Sequence, residues 1–229
     1  MSDTNSIAIL IPSLGRAHKL EHVYQNAHDN SPGVNIYFCF EPGDLASITT
    51  AKNLGYPYFL NERTPSVNGA LNTAYLKTTE DYIFTGSDDL NFHPGWLFIV
   101  MRVFRDNPDK YKVVGTNDLG NPYVLRAEHA THVMLERSYV EDPGAVYGER
   151  RVLAHEGYVH NYGDWELVKL AQKRGVFAPK LDAIVEHLHW CWGKSPKDAT
   201  YEKQDGTNWS HDEILWNQRY AQWKDLPVI

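Results

Sequence analysis

The 229-residue sequence has only two cysteines, Cys39 and Cys191. Two cannot make a disulfide framework, and a reduced, cytoplasmic setting is the expectation. Long apolar runs are also missing. The longest, Trp96 to Met101, falls far short of the roughly 20 residues a membrane span needs. The opening Met1-Ser2-Asp3-Thr4-Asn5 is polar and acidic, unlike a signal peptide. Basic residues are in deficit: 22 Lys and Arg against 29 Asp and Glu leave a formal charge of -7. That argues against a non-specific nucleic-acid coat, which needs a basic face, while leaving room for a small local groove. There are no repeats and no low-complexity segment. What is present is 42% hydrophobic and 13% aromatic residues, ample for one soluble domain with a sizeable core.

Strand and helix signals alternate through the first half. The apolar run Ile7 to Ile11, stopped by Pro12, predicts a strand buried on both faces. Strands are also expected over 35–40, 58–60, 81–85 and 112–115, and helices over 17–28, 45–54, 67–76 and 96–105. Such alternation implies crossover connections and a mostly parallel sheet with helices on both faces. Later on, 123–135 alternates weakly and predicts a hairpin. Residues 164–174 read as a helix stopped by Gly175, and 183–188 as a late strand. Beyond Gly193 the chain becomes a polar, aromatic tail expected to fold back over the domain. Ligands of such sheets bind beyond the carboxyl ends of the strands. Pro12-Ser13, Glu41-Pro42, Asn61-Glu62-Arg63 and Ser87-Asp88-Asp89 all fall there.

Ser87-Asp88-Asp89 carries the most chemistry. Adjacent carboxylates at the exit of a buried strand are costly unless a cation neutralises them. A metal held by one or two carboxylates commonly shares its other sites with phosphates. Glu186-His187-Leu188-His189 is the second feature: residues two apart on a strand share a face, and an imidazole can complete a carboxylate site suited to manganese. His187 is favoured over His189 as that ligand. Asp164, at a helix start, is expected both to cap the helix and to act as a general base. Glu166 is expected on the surface, paired with Lys169 one turn on.

The stretch IAILIPSLGR from Ile7 resembles the opening of family 2 glycosyltransferases. NERTPSVNGALNTAY from Asn61 is similar to their segment ahead of the acidic turn, and Ser87-Asp88-Asp89 stands where their Asp-x-Asp motif belongs. Gly163-Asp164-Trp165-Glu166-Leu167 resembles their Glu-Asp-x-Asp/Glu-Leu segment, and Ile184 to His189 their late metal-ligand strand. The overall pattern, tail included, is similar to small bacteriophage-type members. The resemblance implies an α/β GT-A (Rossmann-like) fold over residues 1–192, with a nucleotide-sugar half at 1–116, an acceptor half at 117–192 and a packed tail at 193–229. It implies that Pro12, Ser13, Arg16 and Glu41 contact the nucleotide base of a UDP-sugar. Arg63 and Asn68 would lie near the base and diphosphate, and Asp88 near the ribose or sugar. Asp89, with His187 or His189, would bind manganese or magnesium, and Asp164 would be the base of an inverting transfer. Two positions depart from the pattern: Ser87 replaces the first acid of the metal motif, and Gly163 replaces the Glu before the base.

For the acceptor, the phage-like pattern suggests a hydroxymethylated pyrimidine in DNA, a glycan or a protein side chain, in host cytoplasm if the gene is a phage's. A base in duplex DNA would have to be flipped or single-stranded, with Arg126, Arg137, Arg150, Arg151, Lys194 and Lys197 as a local basic rim. Tyr158, Tyr162, Trp165, Trp190 and Trp192 are a candidate stacking platform. Two other readings stand beside this one: a sugar nucleotidyltransferase, for which Ser13-Leu14-Gly15-Arg16 is too short and glycine-poor a loop, and a non-catalytic nucleotide-sugar binding protein on the same fold.

Overall fold

The computed structural model describes residues 6–204 and 207–227. Its strands are β1 (Ile7–Ser13), β2 (Asn35–Phe40), β3 (Tyr58–Leu60), β4 (Tyr82–Thr85), β5 (Leu90–Phe92), β6 (Val113–Asn117), β7 (Val133–Glu136) and β8 (Phe177–His187). They form one sheet in the order β3-β2-β1-β4-β7-β6-β8-β5. The β3-β2-β1-β4 half is parallel, while β7 runs antiparallel to both β4 and β6. The helices are α1 (Leu20–Asn30), α2 (Leu45–Leu54), α3 (Val67–Lys77), α4 (Trp96–Asp106), α5 (Pro122–Leu125), α6 (Arg137–Glu141), α7 (Gly163–Lys173), α8 (Ala199–Gln204) and α9 (Thr207–Trp223). None is long and apolar enough to cross a membrane.

Why helices cover both faces follows from the pleat. In β1, Ile9 and Ile11 enter one core with Val23 of α1, Ile48 of α2 and Trp96 of α4. Ala8 and Leu10 enter the other with Ala70 and Ala74 of α3 and Leu167 and Ala171 of α7. A strand buried on both sides needs an unbroken apolar run, which is what the sequence shows. Helix α4 buries Trp96, Val100 and Phe104, one residue per turn on a single face, and Trp96 donates its indole N–H to Ser31 at 3.1 Å. Cys39 is buried in β2 and Cys191 is exposed.

Several expectations need correction. Strand β1 does not stop before Pro12 but runs through Ser13. Pairing with β4 ends at Leu10 while pairing with β2 continues, so Pro12 sits where one side of the strand is already open, a position proline tolerates. The predicted helix over 17–28 opens as a 3-10 turn over Ala17–Lys19 before α1 begins. No hairpin forms over 123–135. That stretch is the short helix α5, capped by Asn121 onto the Tyr123 N–H at 3.0 Å, followed by β7 alone. Strand β8 starts six residues earlier than expected, at Phe177; Pro179, Lys180 and Asp182 mask it, because an irregularity in its pairing with β6 falls there.

Candidate active site

Strand β5 builds the acidic corner. It pairs antiparallel with the end of β8, with Leu90 opposite His187, and this register brings Asp89 against the histidine. His187 Nε2 lies 3.2 Å from Asp89 Oδ1. Ser87 donates to the same oxygen, and the Tyr201 hydroxyl donates to Asp89 Oδ2. Burial opposes ionisation of Asp89, but His187 and these donors hold it well below the usual carboxylate range. His187 is pushed up in turn: burial lowers it, and the charge and hydrogen bond of Asp89 outweigh that.

Asp88 takes the other side of the corner. It accepts from Ser13 Oγ at 2.7 Å and from Arg16 Nη1 at 2.8 Å. Burial and the neighbouring Asp89 charge push it above its ordinary value despite these donors. Arg16 is the hub. Its guanidinium also reaches Asp89 at 3.6 Å, meets both oxygens of Asp198 at 2.9 and 3.1 Å, and lies 4.0 Å from the Tyr201 ring centroid. The segment containing α8 is therefore clasped over the acidic corner, and Asp198 and Tyr201 are site residues that the sequence reading did not identify.

The two late histidines separate in role. Strand β8 ends at His187, so the alternation that would align His189 stops there. His189 instead accepts the Cys191 N–H on Nδ1 at 3.2 Å, capping a 3-10 turn, with its ring 5.0 Å from His187 and 4.6 Å from Tyr201. Burial, then the His187 charge, pushes it down to about 4. Among the described residues, no three His, Cys, Asp or Glu side chains already form a metal cage. Asp89 and His187 do supply two converging donors, the number a cation uses when phosphates and water complete its shell.

The remaining expected residues scatter. Pro12 is the penultimate residue of β1, followed by Ser13. Glu41 accepts from Asn61 at 2.7 Å. Arg63 is engaged by Glu156, which also accepts from Thr64 and Asn72. Asn68 is buried and turned toward the loop before α7, donating to the Tyr158 carbonyl at 3.0 Å. A Cβ on Gly163 would lie 2.8 Å from Asn68 Oδ1 and 3.3 Å from Ala154 Cβ. This packing explains why a glycine stands where the family pattern has Glu.

Asp164 is the second residue of α7, not its cap; that place belongs to Tyr162, in the left-handed region at φ 65°. Asp164 Oδ1 accepts the Trp165 N–H at 2.9 Å, and Oδ2 meets His129 Nε2 at 3.0 Å. Burial opposes its charge, but His129 and the backbone donor leave it below the ordinary range. The helix N-terminus favours the same ionised form. Glu166 is not on the surface: it is fully buried, bound by Arg219 at 2.7 Å and by the Tyr158 hydroxyl at 2.8 Å. Tyr158 is buried with it and belongs to no platform. Tyr162 packs on Trp209 and Trp216, Trp165 stacks on His129, Trp190 lies 6.4 Å from Tyr201 and Trp192 lies against Gly120.

The expected basic rim is paired throughout. Arg126 meets Glu128, Arg150 meets Asp142, Arg151 meets Glu141 and Lys194 meets Glu186. Arg137 caps the Glu80 carbonyl, and Lys197 lies over Trp190.

Comparison with solved structures places the fold. A mannosyltransferase from Pyrobaculum calidifontis, solved with GDP-Man and Mn2+, is similar over 95% of this chain and 70% of its own, at TM-score 0.62 and 12% identity. Glucosyl-3-phosphoglycerate synthase from Mycobacterium tuberculosis, solved with Mn2+, UDP and phosphoglyceric acid, is similar over 94% of this chain and 78% of its own, at TM-score 0.64 and 13% identity. The chain has the GT-A glycosyltransferase fold. No family model matches the sequence, and no curated protein sequence matches it.

Proposed function

We propose that the protein is a metal-dependent glycosyltransferase that moves a sugar from a UDP-sugar to an acceptor hydroxyl with inversion. The observation that carries this reading is the Asp89–His187 pair at the exits of β4 and β8, next to the Ser13–Asp88–Arg16 cluster. Both GT-A neighbours described above were solved with manganese and a nucleotide or nucleotide-sugar, which supports the same chemistry here. Asp89 and His187 would hold a manganese or magnesium ion, whose charge offsets the negative charge growing on the leaving diphosphate. Arg16, bound to Asp88, Asp89 and Asp198, would turn part of its guanidinium to the phosphates, a planar group suited to them. Pro12, Ser13 and Glu41 line the strand ends where the base would sit.

Asp164 would take the acceptor hydroxyl's proton as its oxygen bonds to the anomeric carbon and the bond to the diphosphate breaks. Its ionised form, which the site favours, is the one a base requires. A neutral hydroxyl acceptor on a glycan or protein suits the site better than DNA, because four of the six residues of the expected basic rim are paired with acids that phosphates would have to displace. The deciding experiment screens UDP-sugars for thermal stabilisation with manganese present, in wild type and Asp89→Ala, followed by turnover of Asp164→Asn. Equal stabilisation and turnover in Asp89→Ala removes the reading. Donor binding with no turnover on any acceptor, and a silent Asp164→Asn, leaves a binding protein.

A further inference from the structure

His129 is a buried histidine with one partner. It lies between α5 and β7, its side chain closed to solvent, and its Nε2 meets Asp164 Oδ2 at 3.0 Å. One ring face is stacked on Trp165 with centroids 4.4 Å apart. Its other nitrogen, Nδ1, is buried without a hydrogen-bond partner among the described residues. A hydrogen there would be a donor stripped of water and left unmade, which costs far more than a bare lone pair. The hydrogen therefore belongs on Nε2, aimed at the carboxylate.

We propose, resting on Asp164 as the base, that His129 is a positioning residue: its Nε2–H fixes the Asp164 carboxylate so that a lone pair stays turned to the acceptor hydroxyl. Each carboxylate oxygen has two acceptor positions. His129 fills one on Oδ2 and the Trp165 N–H fills one on Oδ1, which stops the group from rotating and leaves one position on each oxygen. The side chain of Asp164 is 31% exposed, so the open positions are reachable. Trp165 locks the imidazole plane from behind. A base held in one orientation loses less freedom as the hydroxyl attacks.

His129 is not a relay. With Nδ1 closed in and unpaired, a proton passed to the ring has no onward partner. The acceptor's proton stays on Asp164 and leaves to solvent through the exposed side of that carboxyl. His132, His160, His187 and Tyr162 also face Asp164 electrostatically, but none of them is hydrogen-bonded to it.

Two substitutions separate the donor from the packing. His129→Phe keeps a ring on Trp165 and removes the donor. His129→Gln keeps an N–H at similar reach. In His129→Phe we expect kcat to fall about tenfold or more, as for other residues that orient a reacting group, with donor KM unchanged and the acid limb of kcat moved to higher pH. His129→Gln retains most of the activity and an acid limb near the wild type. Thermal stabilisation by UDP and manganese stays unchanged in both, which shows intact folding and donor binding. Wild-type kcat and an unmoved acid limb in His129→Phe overturn the proposal. If the Phe variant does not fold, the wild-type protein decides by nitrogen-15 NMR: a hydrogen on Nε2 and none on Nδ1 is expected, and a protonated Nδ1 overturns it. If Asp164→Asn remains active, the base reading fails beneath it. A dead Asp164→Asn beside a normal His129→Phe sinks this inference alone.

Discussion

The hydroxyl of Tyr201, in the last third of the chain, is hydrogen-bonded to Asp89, the carboxylate that faces His187. Its ring covers Arg16 at the same time. The tail thus holds two of the groups proposed for the donor site, and a cation or diphosphate arriving there competes with it.

That competition gives the first prediction. In Tyr201→Phe the ring still covers Arg16, but Asp89 Oδ2 loses its donor. Hydrogen bonds to charged groups contribute about 1.5–3 kcal/mol. The metal-free protein should therefore melt lower, while manganese and UDP, measured together by calorimetry, bind more tightly. Weaker binding in this variant means that the hydroxyl helps to hold the ligand and does not compete with it.

A second prediction concerns Gly163. Gly163→Ala puts a methyl group against Asn68 Oδ1 and Ala154 Cβ, and overpacking of this kind costs about 1–3 kcal/mol. Asn68→Ala releases the loop carbonyl of Tyr158 and should cost about the same for a buried hydrogen bond. Because the two side chains collide, the double variant should lose less than the sum of the singles. Urea melts of all four proteins check this, and strict additivity excludes the collision.

How far the sequence speaks depends on where each residue gets its partners. Strands β2 and β3 and helix α2 match their expected limits because their signals are local: apolar runs, an Asp44 cap onto Ser47 N, and Gly55 at φ 72° as a stop. The meeting of Asp89 with His187 is foreshadowed locally, because carboxylates at a strand exit demand a partner. Strand β5 carries no such sign: its three residues have no pattern of their own and pair only with β8. The burial of Glu166 is hidden for a related reason. Its spacing to Lys169 fits a surface pair, and nothing local indicates that Arg219, 53 residues later, reaches in to claim it. His129 likewise gives no local sign of meeting Asp164 35 residues on.

The third prediction is a pH dependence. Asp212, buried at the start of the α9 packing, accepts the backbone N–H groups of Val159, His160 and Asn161 at 2.7–2.9 Å. Burial raises its carboxyl, but these donors and His211 outweigh it and leave the native value depressed. A depressed carboxylate contributes stability that is fully present above its unfolded value, about 3.9. That contribution fades as pH falls through the native value, because the unfolded chain then binds more protons. Asp212→Asn should be less stable than wild type at neutral pH, with the gap closing only on acidification below the ordinary carboxylate range. A gap that stays constant with pH excludes the carboxylate as its source.

The last prediction tests what anchors the tail. Arg219 of α9 meets both oxygens of Glu166 at 2.7 Å, with Glu166 closed to solvent. Removing one partner of such a pair strands a buried charge and costs about 3–5 kcal/mol. Arg219→Met should therefore destabilise strongly. Glu166→Gln placed on top should recover much of the loss, since the amide oxygen can still accept from the Tyr147 N–H, 3.2 Å from the carboxylate today, while its NH2 donates to the Tyr158 hydroxyl. The same anchor bears on the active site, because α9 follows α8, and α8 carries Tyr201 over Asp89. Arg219→Met should thus loosen the clasp, seen as faster proteolysis after residue 193 and a weaker response to Tyr201→Phe in metal binding. If Arg219→Met leaves stability and proteolysis unchanged, the tail is held by its aromatic contacts: Trp216 stacked on Tyr220, Trp223 edge-on to both, and Trp223 tilted against Tyr147.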